Sequence, residues 1–103
     1  MTERNIIVEM LEEELDRNAR AQAAYAAERD RLPRGSVCVK TRGSKAYCYL
    51  KYRDGQRTVT QYAGVALEVE EDLRARVARR KEVEAAIKQL KVEQRYIEKA
   101  LAL

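Results

Sequence analysis

The chain contains no tryptophan, no phenylalanine and no histidine, and it has a single proline and two cysteines. Each absence excludes something. Without histidine, the usual proton shuttle at neutral pH and the commonest metal ligand are missing. Two cysteines cannot by themselves close a four-ligand zinc site. No apolar run approaches the roughly 18 residues that a membrane-spanning helix needs. The opening MTERNIIVEMLEEELD is too acidic, and its apolar stretch too short, for a signal peptide. The expected setting is the cytoplasm, off the membrane, with reduced thiols. A core without Trp or Phe must draw on Ala, Leu, Val and tyrosine. With 37% of residues charged, much of the buried area should lie in a helix–helix seam.

What is present is concentrated in the middle. Between Pro33 and Gly64 lie Tyr47, Tyr49, Tyr52 and Tyr62, both cysteines, all four glycines and the one proline. The same stretch holds Arg34, Lys40, Arg42, Lys45, Lys51, Arg53 and Arg57 against Asp54 alone, a local net of +6 in a chain whose formal net charge is +4. A basic, tyrosine-rich module between near-neutral arms points to a polyanion at the centre, held in place by the arms.

The arms read as helices. Thr2 or Asn5 can cap the first. Ile7, Leu11 and Leu15 follow at steps of four, with Val8 and Met10 widening the stripe. From Ala19 to Ala27 the chain turns to alanine around Tyr25, which favours helix and lets a partner approach closely. Pro33 disfavours helical backbone in the residue before it, so this helix spans 2–32. The second helix occupies 65–103. Glu68, Glu70, Glu71 and Asp72 suit the positive end of its dipole. Val69, Leu73 and Val77 form one row. Val83, Ile87, Leu90, Gln94, Ile97 and Leu101 then advance at coiled-coil spacing, so the helices are expected to pair as a coiled coil, antiparallel or self-associating. Between Val77 and Val83 the steps do not fit, and Arg79, Arg80 and Lys81 occupy the gap as a change of register or of packing partner; with Arg74 and Arg76 they read as a solvated face or as an extension of the basic surface.

The centre, 33–64, predicts a three-stranded antiparallel meander: Ser36–Thr41, Ala46–Tyr52 and Arg57–Tyr62. Gly43-Ser44 is one turn. Asp54-Gly55 suits a type I′ turn and would pair Leu50 with Val59 and Tyr47 with Tyr62. Alternate and directly paired residues share a face. Both turns then place Val37, Val39, Cys48, Leu50 and Val59 on one face. Cys38, Lys40, Tyr47, Tyr49, Lys51, Thr58, Thr60 and Tyr62 line the other. The apolar face should be covered by the alanine-rich end of the first helix or the start of the second. Cys38 and Cys48 fall on opposite faces and should be free thiols, with Cys48 in the core.

The fold class is therefore α+β, helix–sheet–helix, in one domain over 1–103. No paired-carboxylate signature, phosphate loop or activated nucleophile stands out, so no enzyme, cofactor or metal is expected. The candidate nucleic-acid-binding residues are Lys40, Arg42, Lys45, Tyr47, Tyr49, Lys51, Arg53, Arg57 and Tyr62. Lysine and arginine neutralise phosphate, and tyrosine rings stack on bases. The expected partner is nucleic acid, DNA in preference to RNA because a β-ribbon can enter the major groove. The alternative is a protein-interaction module, such as a phage-type inhibitor or adaptor that docks on a nucleic-acid-handling enzyme. A solvated, merely ordered Tyr/Lys surface is the third reading. The helices would make a homodimer.

Leu32-Pro33-Arg34-Gly35-Ser36, the hairpin Tyr47-Cys48-Tyr49-Leu50-Lys51-Tyr52-Arg53-Asp54-Gly55 and Tyr62-Ala63-Gly64 before a charged helix resemble a family of small uncharacterised bacterial and mobile-element proteins. That family's pattern is Leu-Pro-x-Gly-Ser, a Tyr-rich Leu-x-Tyr-Arg-x-Gly hairpin, and Tyr-x-Gly. This chain has Cys48 where the pattern tends to have tyrosine, and Ala63 where a larger apolar residue is common. The resemblance implies the helix–sheet–helix layout and no activity. The hairpin is also similar to the short sheets by which some integrases and transposases touch DNA.

Overall fold

The computed structural model describes residues 5–103. The order is α1 (Ile6–Asp30), β1 (Ser36–Arg42), β2 (Lys45–Asp54), β3 (Arg57–Val65) and α2 (Ala66–Leu101). The strands form one antiparallel sheet in the order β1-β2-β3. This is the α+β helix–sheet–helix architecture. The chain separates into two compact units, one of residues 30–82 and one combining the segment through Arg29 with 83–103.

Helix α1 starts at its cap. The Asn5 side-chain oxygen accepts from the backbone N–H of Ile7 (3.0 Å) and Val8 (3.3 Å), satisfying donors that the first turn leaves open. Thr2, the other expected cap, lies outside the described residues. The helix ends at Asp30 rather than Leu32, ahead of Pro33.

In the first unit α1 packs on the last part of α2. Val83 and Ile87 are buried, and Leu90, Gln94, Ile97 and Leu101 are half-buried, so the residues at coiled-coil spacing are the covered ones. From α1 come Leu11, Leu15, Asn18, Ala21, Gln22 and Tyr25. Asn18 is the buried polar residue among those described, and both its amide nitrogen and its oxygen are hydrogen-bonded. It donates to the Leu90 carbonyl (2.8 Å) and accepts from the Gln22 amide (2.6 Å), which also donates to Gln94 (2.7 Å). The half-buried Gln94 in an otherwise apolar row thus has a polar partner. The expected stripe does not extend to its start. Ile7 and Met10 are 69% and 61% exposed.

In the second unit the core lies between one sheet face and the first turns of α2. Cys48, Leu50, Ala66, Leu73 and Val77 are buried together, with Val37, Ala46, Ala63 and Val69 against them. Fully burying a side chain of leucine or valine size stabilises by roughly 1.5–3 kcal/mol. The start of α2, one of the two expected covers, packs on this face. The Val69, Leu73, Val77 row is its contact line.

The first hairpin has the expected register, with Val39 opposite Cys48 and Val37 opposite Leu50 around Gly43-Ser44. The second does not. Its loop is Gly55-Gln56, with Asp54 opposite Arg57, Tyr52 opposite Val59 and Tyr49 opposite Tyr62. A type I′ loop at Asp54-Gly55 would need positive φ at both positions. Among the described residues only glycines have positive φ, and Gly55 (φ 65°) takes the first loop position, as a type II′ turn requires. Moving the loop by one residue shifts the pairing by two, which returns every side chain to the face expected for it. A bulge between Cys48 and Tyr49 then inserts Ala63 and carries β3 on to Val65, opposite Tyr47, beyond the expected end at Tyr62.

Candidate nucleic-acid interface

The sheet face turned away from the α2 core carries the residues of interest. Alternation along β1 and β2 places Lys40 and Arg42 beside Lys45, Tyr47, Tyr49, Lys51 and Arg53, and β3 adds Thr58, Thr60 and Tyr62. No acid stands on this face. Lys40 is directly opposite Tyr47, Arg42 opposite Lys45, Lys51 opposite Thr60 and Arg53 opposite Thr58. Pairing of like charges across strands costs stability, so Arg42 and Lys45 at the first turn are placed against that preference.

Three tyrosines form the centre of the face. The Tyr62 ring lies edge-on to Tyr49 at 5.6 Å between centroids and tilted to Tyr47 at 6.3 Å. Contact with both rings survives although the direct partner of Tyr62 is Tyr49 and not Tyr47. The Lys40 ammonium sits 5.0 Å over the Tyr49 ring. Tyr62 is 55% exposed, so much of its ring remains open for stacking.

Arg57 is the exception among the expected site residues. It belongs by alternation to the core-side face, at the hairpin tip, opposite Asp54. It is not part of the tyrosine face. Sequence reading also missed the Arg34 guanidinium, stacked on the Tyr52 ring at 4.4 Å on the core side. Extending the β1–β2 register back past the Ser36–Lys51 pair would have brought that segment to Tyr52.

The cysteines have different environments. Both are free. Burial pushes the Cys48 thiol up, the nearby Glu70 charge adds to this, and Arg74 opposes it. A buried neutral thiol is a poor nucleophile and a poor metal ligand. Among the described residues no group of three or more His, Cys, Asp and Glu side chains could hold a metal ion, and no helix is long and apolar enough to cross a membrane.

These features define a class: an α+β helix–sheet–helix protein with one sheet face packed on a helix and the other basic, acid-free and tyrosine-bearing. The chain belongs to the family described as domain of unknown function DUF6788, whose model matches residues 9–75. That match takes in most of α1, the whole sheet and the first turns of α2. No curated protein and no solved structure matches the chain.

Proposed function

We propose that this is a non-enzymatic nucleic-acid-binding accessory or regulatory protein, DNA in preference to RNA, that uses the tyrosine-bearing sheet face. One observation carries the reading. Lys40, Arg42, Lys45, Lys51 and Arg53 surround three tyrosines, of which Tyr62 contacts both Tyr47 and Tyr49, on a face that contains no carboxylate. Cations at strand spacing suit a phosphate backbone, and an open aromatic centre suits bases or sugars. The helices would pair as a coiled coil between two copies. Exposed Ile6, Ile7 and Met10 on α1 supply apolar surface for that contact, and exposed Glu12 and Glu13 on α1 complement exposed Lys88, Lys91 and Arg95 on α2.

The test is a titration of a mixed-sequence duplex and of a single strand at two salt concentrations, with mass determined by light scattering. Micromolar or tighter binding that falls steeply with salt is expected. Each phosphate contact contributes roughly 0.9 to the slope of log K against log salt. Replacing Lys40, Lys51 and Arg53 together by Ala should therefore weaken binding and lower the slope by up to about 2.7. An unchanged slope would refute the site, and no binding at low salt would refute the function. The same exposed α1 residues support a second reading, a protein-interaction module docking on a nucleic-acid-handling enzyme. Co-purification of such an enzyme that survives nuclease treatment would favour it.

A further inference from the structure

The tyrosine-bearing face is three strands wide and draws on all of them. Lys40 and Arg42 come from β1, Tyr47, Tyr49, Lys51 and Arg53 from β2, and Thr58, Thr60 and Tyr62 from β3. Side chains tie the strands together across the face. Lys40 of β1 sits over the Tyr49 ring of β2, and Tyr62 of β3 contacts both tyrosines of β2. Neighbouring strands lie about 4.8 Å apart, so the outer strand axes are separated by about 9.6 Å before any side-chain or van der Waals width is added. The major groove of duplex DNA is about 12 Å wide and admits a helix or a two-stranded ribbon. A face of this breadth meets a duplex across its phosphate ridges and not inside the groove.

The chemistry of the rings agrees with that breadth. Paired bases show a protein only their edges, which amide and guanidinium side chains read. The centre of this face holds phenol rings instead, with Arg42 and Arg53 at its two ends. A tyrosine ring stacks on the π-face of a base, and unpaired bases are the ones that offer it. Tyr62 is the ring placed to take it. It is exposed, whereas Tyr47 and Tyr49 are half-buried. Its contacts with them are edge-on (63° between planes) and tilted (53°), so neither is a parallel stack. The surrounding Lys40, Arg42, Lys45, Lys51 and Arg53 are exposed, and none pairs with a carboxylate of a described residue. From Lys45 to Lys51 the strand runs about 20 Å at roughly 3.3 Å per residue. Phosphates along a nucleic-acid strand repeat at about 3.4 Å, so about six nucleotides cover that distance.

We infer that the tyrosine-bearing face takes an unpaired strand in preference to a duplex, with Tyr62 stacked on a base and the flanking cations on phosphates. This rests on the nucleic-acid reading above and narrows its partner. Phosphate charge alone predicts the opposite order, because a duplex carries two charges for each one on a strand of the same length. A preference for the strand therefore reports the rings and not the cations.

The experiment is fluorescence anisotropy of the full chain with a labelled oligothymidylate of twelve nucleotides, which cannot pair with itself, against a mixed-sequence duplex of twelve base pairs in the same buffer. The strand should bind at least about tenfold tighter than the duplex. Tyr62→Leu keeps an apolar side chain at that position but has no π-face. It should weaken strand binding by about tenfold, as the loss of one stacked base predicts. Its salt slope should match that of the wild type, because no phosphate contact is removed. Tyr62→Phe keeps the π-face and should bind the strand nearly as the wild type does. Circular dichroism checks that both variants fold, and the wild-type ratio of strand to duplex affinity decides the question even where the leucine variant does not. Duplex binding equal to or tighter than strand binding would overturn the inference and leave the nucleic-acid reading standing. A folded Tyr62→Leu variant with wild-type affinity for the strand would do the same. Absence of binding to either ligand at low salt would overturn both.

Discussion

Replacing Gly35 by alanine should cost far more stability than replacing Gly55, although both have positive φ. At Gly35 (φ 101°) an added Cβ would fall on the Lys51 carbonyl oxygen and 2.9 Å from the Tyr52 Cβ. At Gly55 (φ 65°) it would meet nothing within 4 Å. The conformational penalty for an L-residue is about 1–2 kcal/mol in the left-handed region and of order 1–3 kcal/mol in rarer regions. It is offset in each case by about 0.4–1 kcal/mol from a less flexible unfolded chain. Overpacking adds about 1–3 kcal/mol at Gly35 alone, because the obstacle is backbone and cannot swing away. The expected loss is about 2–5 kcal/mol for Gly35→Ala and at most about 1.5 kcal/mol for Gly55→Ala. Urea unfolding followed by circular dichroism reads both, with unchanged m values showing that the denatured states are comparable. Losses equal within about 0.5 kcal/mol would refute the close approach as the reason for glycine here. Any shift of this segment would also move Arg34 off Tyr52.

Two further outcomes follow from the buried groups. The raised Cys48 thiol favours the proton-bound folded state, so its contribution is fully present below the ordinary thiol range and is lost as pH rises through the raised value. Wild type minus Cys48→Ala stability should therefore be flat at neutral pH and fall in alkali, while thiol titration of the native protein labels half-exposed Cys38 before Cys48; equal labelling rates would contradict the core assignment. Asn18→Ala should lower stability by about 1–3 kcal/mol by leaving the Gln22 amide and the Leu90 carbonyl short of a partner. Asn18→Leu should recover that loss but broaden the distribution of species in sedimentation velocity, and one sharp species would show that the polar group does not select the helix pairing.

How legible all this was in the sequence depends on the range of the interaction. The apolar set Val37, Val39, Cys48, Leu50 and Val59 was readable because strand alternation is local and both turns constrain it. The second register was not, because Asp54 and Gly55 each suit a turn and only the sign of φ decides between Asp54-Gly55 and Gly55-Gln56. The candidate face escaped this error, since a shift by two preserves parity; Arg57, expected beside the turn, lies off that face in either register. The period of α1 announced a stripe, but period alone does not say how far a partner reaches, and Ile7, Val8 and Met10 stayed open. Arg76 and Arg80 were illegible as anchors, because the Arg31 and Leu32 carbonyls they donate to are distant in sequence and a carbonyl carries no residue signature.

The three-stranded sheet has two lateral edges, β1 and β3, each with a single paired neighbour. Such edges recruit strands from other molecules unless something repels them. On β1 that repulsion comes from Lys40 and Arg42, and on β3 the bulge at Ala63 disrupts the row of donors and acceptors. The cations proposed to meet phosphate would therefore have a second duty, discouraging polymerisation of the protein through its own sheets. A variant stripped of Lys40 and Arg42 should aggregate on concentration, and a bound polyanion that masks them would have to cover the strand edge as well as the charge.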